Sequence, residues 1–160
     1  MGYSMSNNPL WDYSIVTYSL AGVAPACLAL QDTFGLDVNV LLYASWLAQG
    51  ERRLSYDHLT GMEAVITDWR SDTVKPLRAL RIRWRQTPHT SGLREELKSL
   101  ELRAERQQQD MMYTYCQRSA ELPWAARPLR DNLALVASFA GSEGEGRSAA
   151  IEHLAGVFSR

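Results

Sequence analysis

Lys75, Arg78, Arg81 and Arg85 recur at spacings of three and four, which on a helix places four cations in one stripe with Trp84 beside them. Such a stripe can bind phosphates, and an adjacent indole can stack on a base. From Arg70 to Arg106 there are ten Lys or Arg against five Asp or Glu, a net charge of +5, which leaves −6 on the remainder of a chain whose total is −1. A near-neutral protein thus carries a basic arm on an acidic body, and local asymmetry, not bulk charge, must drive any electrostatic recognition. The competing reading is a solvated helix face. Folding the chain about His89 brings Arg78 near Glu101 and Arg85 near Glu95 or Glu96, which neutralises part of the stripe.

A second set of polar residues could form a small-molecule site from scattered positions: Asp12, Asp32 and Asn39, with Arg78. Asp32 precedes Gly35 in what reads as the last turn of a helix, where the dipole disfavours an anion, so an arginine from a neighbouring helix is expected to compensate. Asn39 falls in a first turn and is expected to satisfy local backbone groups. His58, His89 and His153 pair neither with each other nor with Cys27 and Cys116 at metal-ligand spacing, so neither metal nor cofactor is expected. There is no GxSxG nucleophile elbow. The loop "GSEGEG" has the glycines of a phosphate cradle, but Glu143 and Glu145 would repel a phosphate, and it reads as a flexible linker. With no nucleophile–base pair to assemble, a non-enzyme is expected, and the scattered site is the rival.

The elements that must position these residues are all helical. At 160 residues, 46% hydrophobic and 22% charged, the chain is long enough to bury a core as a single domain over 8–160. Residues 1–7 read as a flexible tail without a secretory signal, although Gly2 and Ser6 fit a myristoylation pattern. Two cysteines outside any CxxC pair suggest reduced, buried thiols and a cytoplasmic location. The apolar run Val38–Ala48 is too short to span a bilayer. Asp37 before it is a good N-cap and Gly50 after it suits a left-handed C′ position, so it reads as a helix buried on every face at the centre of the fold.

Other helices announce themselves by punctuation. Asn8 and Pro9 open one that carries Trp11, Ile15 and Tyr18 on one face; Pro25 and Gly35 bracket a second; "RPLRDNLALVASFAG" and "RSAAIEHLAGVFSR" supply two more. Between them, Leu59, Met62, Ile66, Trp69, Thr73, Leu77, Leu80 and Trp84 form one coiled-coil-like seam, and Leu93, Leu97, Leu100, Ala104, Gln107 and Met111 form another. Pro76 either kinks the first of these helices or breaks it near Arg70, with Ser71 as a new cap. The expected architecture is an all-α, compact helical bundle with a long antiparallel helical hairpin over about 56–118.

The stretches "LWDYSIVTYSLAGVAPACLALQDTFGLDVNVLLYASWLA" and "DWRSDTVKPLRALR", with the helix after them, resemble a proteobacterial family of small helical proteins of about 160 residues and unknown function. The resemblance implies an all-helical bacterial protein and brings no site residues. The apolar helices are more faintly similar to helical isoprenoid synthases. Those bind magnesium through DDxxD-type motifs, whereas Asp32 and Asp37 are single aspartates separated by Gly35. Together these readings give a cytoplasmic protein-interaction or regulatory module whose partner is another protein. RNA or another polyanion on helix 75–85 is the alternative, and the scattered small-molecule site is a third.

Overall fold

The computed structural model describes residues 7–141 and 144–160, and among these the only regular elements are helices. The tail expected over 1–7 lies outside the described residues apart from Asn7, as do Gly2 and Ser6 and, in the GSEGEG loop, Ser142 and Glu143. The helices are α1 (Pro9–Tyr18), α2 (Val23–Phe34), α3 (Val38–Gln49), α4 (Tyr56–Trp69), a π-helical turn (Arg70–Val74), α5 (Lys75–Trp84), α6 (Ser91–Arg118), α7 (Leu129–Phe139) and α8 (Arg147–Phe158). One isolated antiparallel bridge, Arg52 to Trp124, is the only β pairing among the described residues.

Contacts divide the chain into two compact units. One comprises residues 1–60 and 119–160, the other Gly61–Arg118. In the first unit α3 is the centre: seven consecutive residues from Asn39 to Ser45 are buried, and the helix touches α1, α2 and α7. The Asp37 carboxylate accepts from the Asn39 amide at 2.8 Å, the cap that the sequence suggests. The other end differs from expectation. Gly50 has φ −84°, and the left-handed residue is Glu51 at φ 53°. Glu51 is held there by its surroundings: its carbonyl accepts from Ala125 N at 2.9 Å and its carboxylate from Trp124 Nε1 at 3.1 Å.

On α1, Asn8 caps Trp11 N at 3.1 Å and Pro9 occupies the first turn. The buried face carries Leu10, Ser14 and Thr17, so the face of Trp11, Ile15 and Tyr18 looks away from the core, with Ile15 exposed. Gly35 ends α2 at φ 69°, a left-handed conformation that a side chain would strain.

Asn132 on α7 joins the long sequence separations of this unit. Wholly buried, it accepts from Leu54 N at 2.8 Å and donates to the carbonyls of Ala44 at 3.2 Å and Arg52 at 3.0 Å. Replacing it strands a buried amide and loosens the segment between α3 and α4. Asn132→Ala is expected to cost about 3 kcal/mol in urea denaturation, more than an ordinary exposed substitution.

The second unit is the hairpin. Its first helix runs without a break from α4 through the π turn into α5, and α6, with 28 residues, returns alongside. Antiparallel pairing is fixed by Trp69 Nε1, which donates to Ala104 O at 2.9 Å, and by Arg94 Nε, which reaches Arg81 O at 3.4 Å. Pro76 neither breaks nor caps the helix. Proline has no N–H and its ring collides with the carbonyl four residues back; the wide turn, closed by Lys75 N donating to Arg70 O, accommodates it.

Candidate functional site

The wide turn decides where the basic stripe points. One extra residue in a helix rotates everything after it by about 100°. The seam of Leu59, Met62 and Ile66 reaches the buried Val74, and beyond it Arg78 and Arg81 join the expected Thr73, Leu77, Leu80 and Trp84, all six half-buried.

Those two arginines meet the carboxylates of α6. Arg78 Nη2 donates to Glu105 Oε1 at 3.0 Å, and its Nε lies 3.4 Å from Glu101 Oε1. Arg81 grips Glu101 with both Nε and Nη2, the latter at 3.1 Å. The Glu101 side chain is 8% exposed, against 23% and 20% for the arginines. Next to the turn, Arg70 and Glu63 form a second fork, with Nη2–Oε2 at 2.5 Å and Nη1–Oε1 at 3.2 Å. Bidentate arginine–carboxylate geometry is the strong form of such a pair.

The stripe is thus engaged at its middle and open at its ends. Lys75 and Arg85 are exposed, as is Arg83, none with an ion pair among the described residues, and Trp84 is half-buried. The expected partner of Arg85 is absent: Glu95 instead bonds Lys98 at 3.0 Å, and Glu96 is exposed. The seam of α6 also differs from expectation. Leu97 and Ala104 are buried, but the others in register with them are Glu101, Gln108 and Met112, while Leu93 and Leu100 are about half exposed. A leucine count misses this. The clue was Glu101, Glu105 and Gln108 at helical spacing opposite Arg78 and Arg81.

Glu101→Gln removes the carboxylate that Arg81 grips and leaves Arg78 with Glu105. It is expected to destabilise by about 3 kcal/mol, the low end for breaking a buried pair because the arginines keep some solvent. Replacing Glu101, Arg78 and Arg81 together by apolar residues of similar volume is expected to cost less than the single change, measured by the same urea titration.

On the flank of the hairpin a groove of about 300 Å³ opens between Val65 on α4 and Gln107, Asp110, Met111, Thr114, Tyr115 and Arg118 on α6. Near its end the helices approach closely, with the Tyr115 ring lying where a side chain on Gly61 would be. Cys116 is half-buried on α6, not buried as expected.

The residues of the scattered polar site fall in both units, Arg78 in the hairpin and the other three in the first. Asp12 and Asp32 are exposed on α1 and α2, Asn39 is buried at the start of α3, and Arg78 is bound to Glu101 and Glu105. Among the described residues no arginine pairs with Asp32, which is exposed. Among the described residues no three His, Cys, Asp or Glu side chains gather as for a metal ion. Cys27 is fully buried, and burial pushes its thiol up to about 12, which keeps it protonated and unreactive.

His58 is a buried imidazole of the first unit. Its Nε2 shares a 2.7 Å hydrogen bond with Tyr43 Oη, the two rings stack at 6.0 Å and 11°, and its amide is capped by Ser55 Oγ at 3.1 Å. Burial holds the imidazole below its ordinary value of 6.5. Unfolded His58 therefore binds a proton before folded His58 does, so its contribution to stability is intact above about 6.5 and is lost as pH falls below it. In urea denaturation at about pH 7.5 and about pH 5.5, His58→Gln, which does not titrate, is expected to lose less stability on acidification than the wild type.

What these features define is an all-helical protein whose longest element is an ion-paired helical hairpin. Residues 9–112, from α1 through most of α6, match the family described as "Protein of unknown function (DUF2390)". The chain belongs to that family. Neither the curated proteins nor the solved structures contain a match to it.

Proposed function

We propose that the protein is a non-enzymatic, cytoplasmic interaction module of a bacterium, and that the free end of the hairpin docks on another protein. One observation carries this reading: Arg78 and Arg81, the middle of the basic stripe, are committed to Glu101 and Glu105. A nucleic-acid surface needs an unneutralised basic face. What stays open near the turn is mixed: Ile82, Leu93 and Leu100 at 52%, 56% and 49% exposure, with Arg83 and Arg85 among them. Apolar anchors ringed by cations suit an acidic protein surface with an apolar centre. The two free cysteines are what a reducing compartment leaves. The exposed Lys75, Arg83 and Arg85 with Trp84 sustain RNA as the second reading.

Affinity capture from lysate, with and without nuclease, separates the two. Leu93→Asp/Leu100→Asp is expected to abolish capture of one defined protein that survives nuclease, while helicity by circular dichroism is unchanged. Nuclease-sensitive capture, lost in Arg83→Glu/Arg85→Glu and falling steeply with salt, would establish RNA instead. A phosphorylated metabolite co-purifying at stoichiometry, seen by mass spectrometry, would overturn both.

A further inference from the structure

The groove between α4 and α6 combines two apolar side chains, Val65 and Met111, with two charges, Asp110 and Arg118, eight positions apart along α6. Eight positions on a helix span about 12 Å. An occupant lying along the groove therefore needs a cation opposite Asp110, an anion opposite Arg118 and an apolar side chain between them. A polyanion meets only half of that demand, because Asp110 repels it. The same helix carries a segment of the required kind nearer its start. Glu96, Leu100 and Arg103 are exposed and spaced by four and three, so they share one helix face with Gln107, Thr114 and Arg118. Glu96, Arg103 and Arg118 make no ion pair among the described residues.

The order of these residues is self-complementary. Arg103 and Met111 lie four positions to either side of Gln107, Leu100 and Thr114 seven, and Glu96 and Arg118 eleven. A second α6 running antiparallel about that centre sets Glu96 against Arg118, Arg103 against Asp110 and Met111, and Leu100 against Thr114. The first half of each α6 then lies in the groove of the other over about 16 Å, and the two-fold axis makes every charge pair twice. A parallel pair would instead oppose Glu96 to Glu96, Arg103 to Arg103 and Arg118 to Arg118, which repulsion disfavours. Two hairpins joined in the antiparallel way form a four-helix bundle. Exposed ion pairs add little affinity, so Leu100, Met111 and Val65 supply the buried area and the charges set the register.

We infer that the α4–α6 groove is filled by residues 96–107 of a second copy, so that the protein is a homodimer built on antiparallel α6 helices. This goes beyond the reading of the hairpin end and shares only Leu100 with it, so the test changes side chains outside that surface. Light scattering and sedimentation equilibrium on the full chain, from about 1 to about 200 µM, provide it. The mass is expected to rise with concentration from 18.1 kDa towards twice that value. Glu96→Arg and Arg118→Glu each set like charges together twice in the dimer, and each is expected to weaken it about tenfold. The double variant Glu96→Arg/Arg118→Glu opposes unlike charges again and is expected to return to within about threefold of the wild type. Thr114→Leu, which places a leucine against Leu100 of the copy, is expected to tighten the dimer about tenfold. Arg83→Glu/Arg85→Glu dimerises as the wild type does, so capture of a partner by the hairpin end is read separately. A wild type monomeric over the whole range overturns the proposal. So does a dimer that either single swap leaves intact, or one that the double swap fails to restore. A foreign protein captured by a monomeric wild type and lost in Glu96→Arg also overturns it, and gives the groove to another protein's helix.

Discussion

A hairpin needs a seam, and α6 cannot supply one from apolar residues. Of its buried side chains only Leu97, Ala104 and Met112 are apolar; Glu101, Gln108 and Gln109 fill the rest. A carboxylate as buried as Glu101 costs several kcal/mol in lost hydration unless donors replace the water. Arg78 and Arg81 are those donors in the observed register of α5 against α6. A slide of one turn, about 5.4 Å, would break the fork of Arg81 on Glu101. The ion pairs are thus weak as a source of net stability but strong as a selection of one arrangement over its neighbours. A hydrophobic stripe of the same length would tolerate the slide.

That selection depends in turn on Pro76. The wide turn just before it adds one residue to the helix, and Val74, Arg78 and Arg81 come onto the facing side. Leu77, Leu80 and Trp84 stay half-buried on the same helix, so the two arginines join the apolar positions and do not replace them. π-helical turns are rare and recur where a sequence needs such a rotation. Trp69, immediately before the turn, ties its indole to Ala104 O and fixes the upstream half against α6.

The residues that were legible in the sequence are those that act within a few positions of themselves. Asn8, Pro9, Asp37 and Gly35 cap their own helices, and the unbroken apolarity of α3 states that it is surrounded. The hairpin was legible because its turn and its antiparallel return follow from length and spacing. What failed needed contacts across space. Asn132 looks like any helical asparagine until the Leu54 amide and two carbonyls converge on it. Gly50 was the natural left-handed residue by conformational cost, yet Glu51 takes the position because two hydrogen bonds from Trp124 and Ala125 hold it there. In the candidate site, the pairing of Arg78 with Glu101 could be read from folding the chain about His89. The fate of Arg81 and Arg85 could not, because helical spacing carries no notice of an inserted residue.

The buried ionisable groups share one property that bears on function. His58 is committed to Tyr43, Glu101 to two guanidinium groups and Glu63 to Arg70, while Cys27 is held protonated by its apolar surroundings. Each shift or pairing has a structural cause within its own unit, and structural ion-pair networks perturb such groups as readily as active sites do. Catalysis requires the opposite arrangement, in which a perturbed group faces a space that a substrate can enter. Here each of these groups is committed to a neighbour or to its apolar surroundings, while the leucines near the hairpin turn stay exposed among Lys75, Arg83 and Arg85. Burying apolar area is what such surfaces offer a partner, and it favours recognition by shape over recognition by charge.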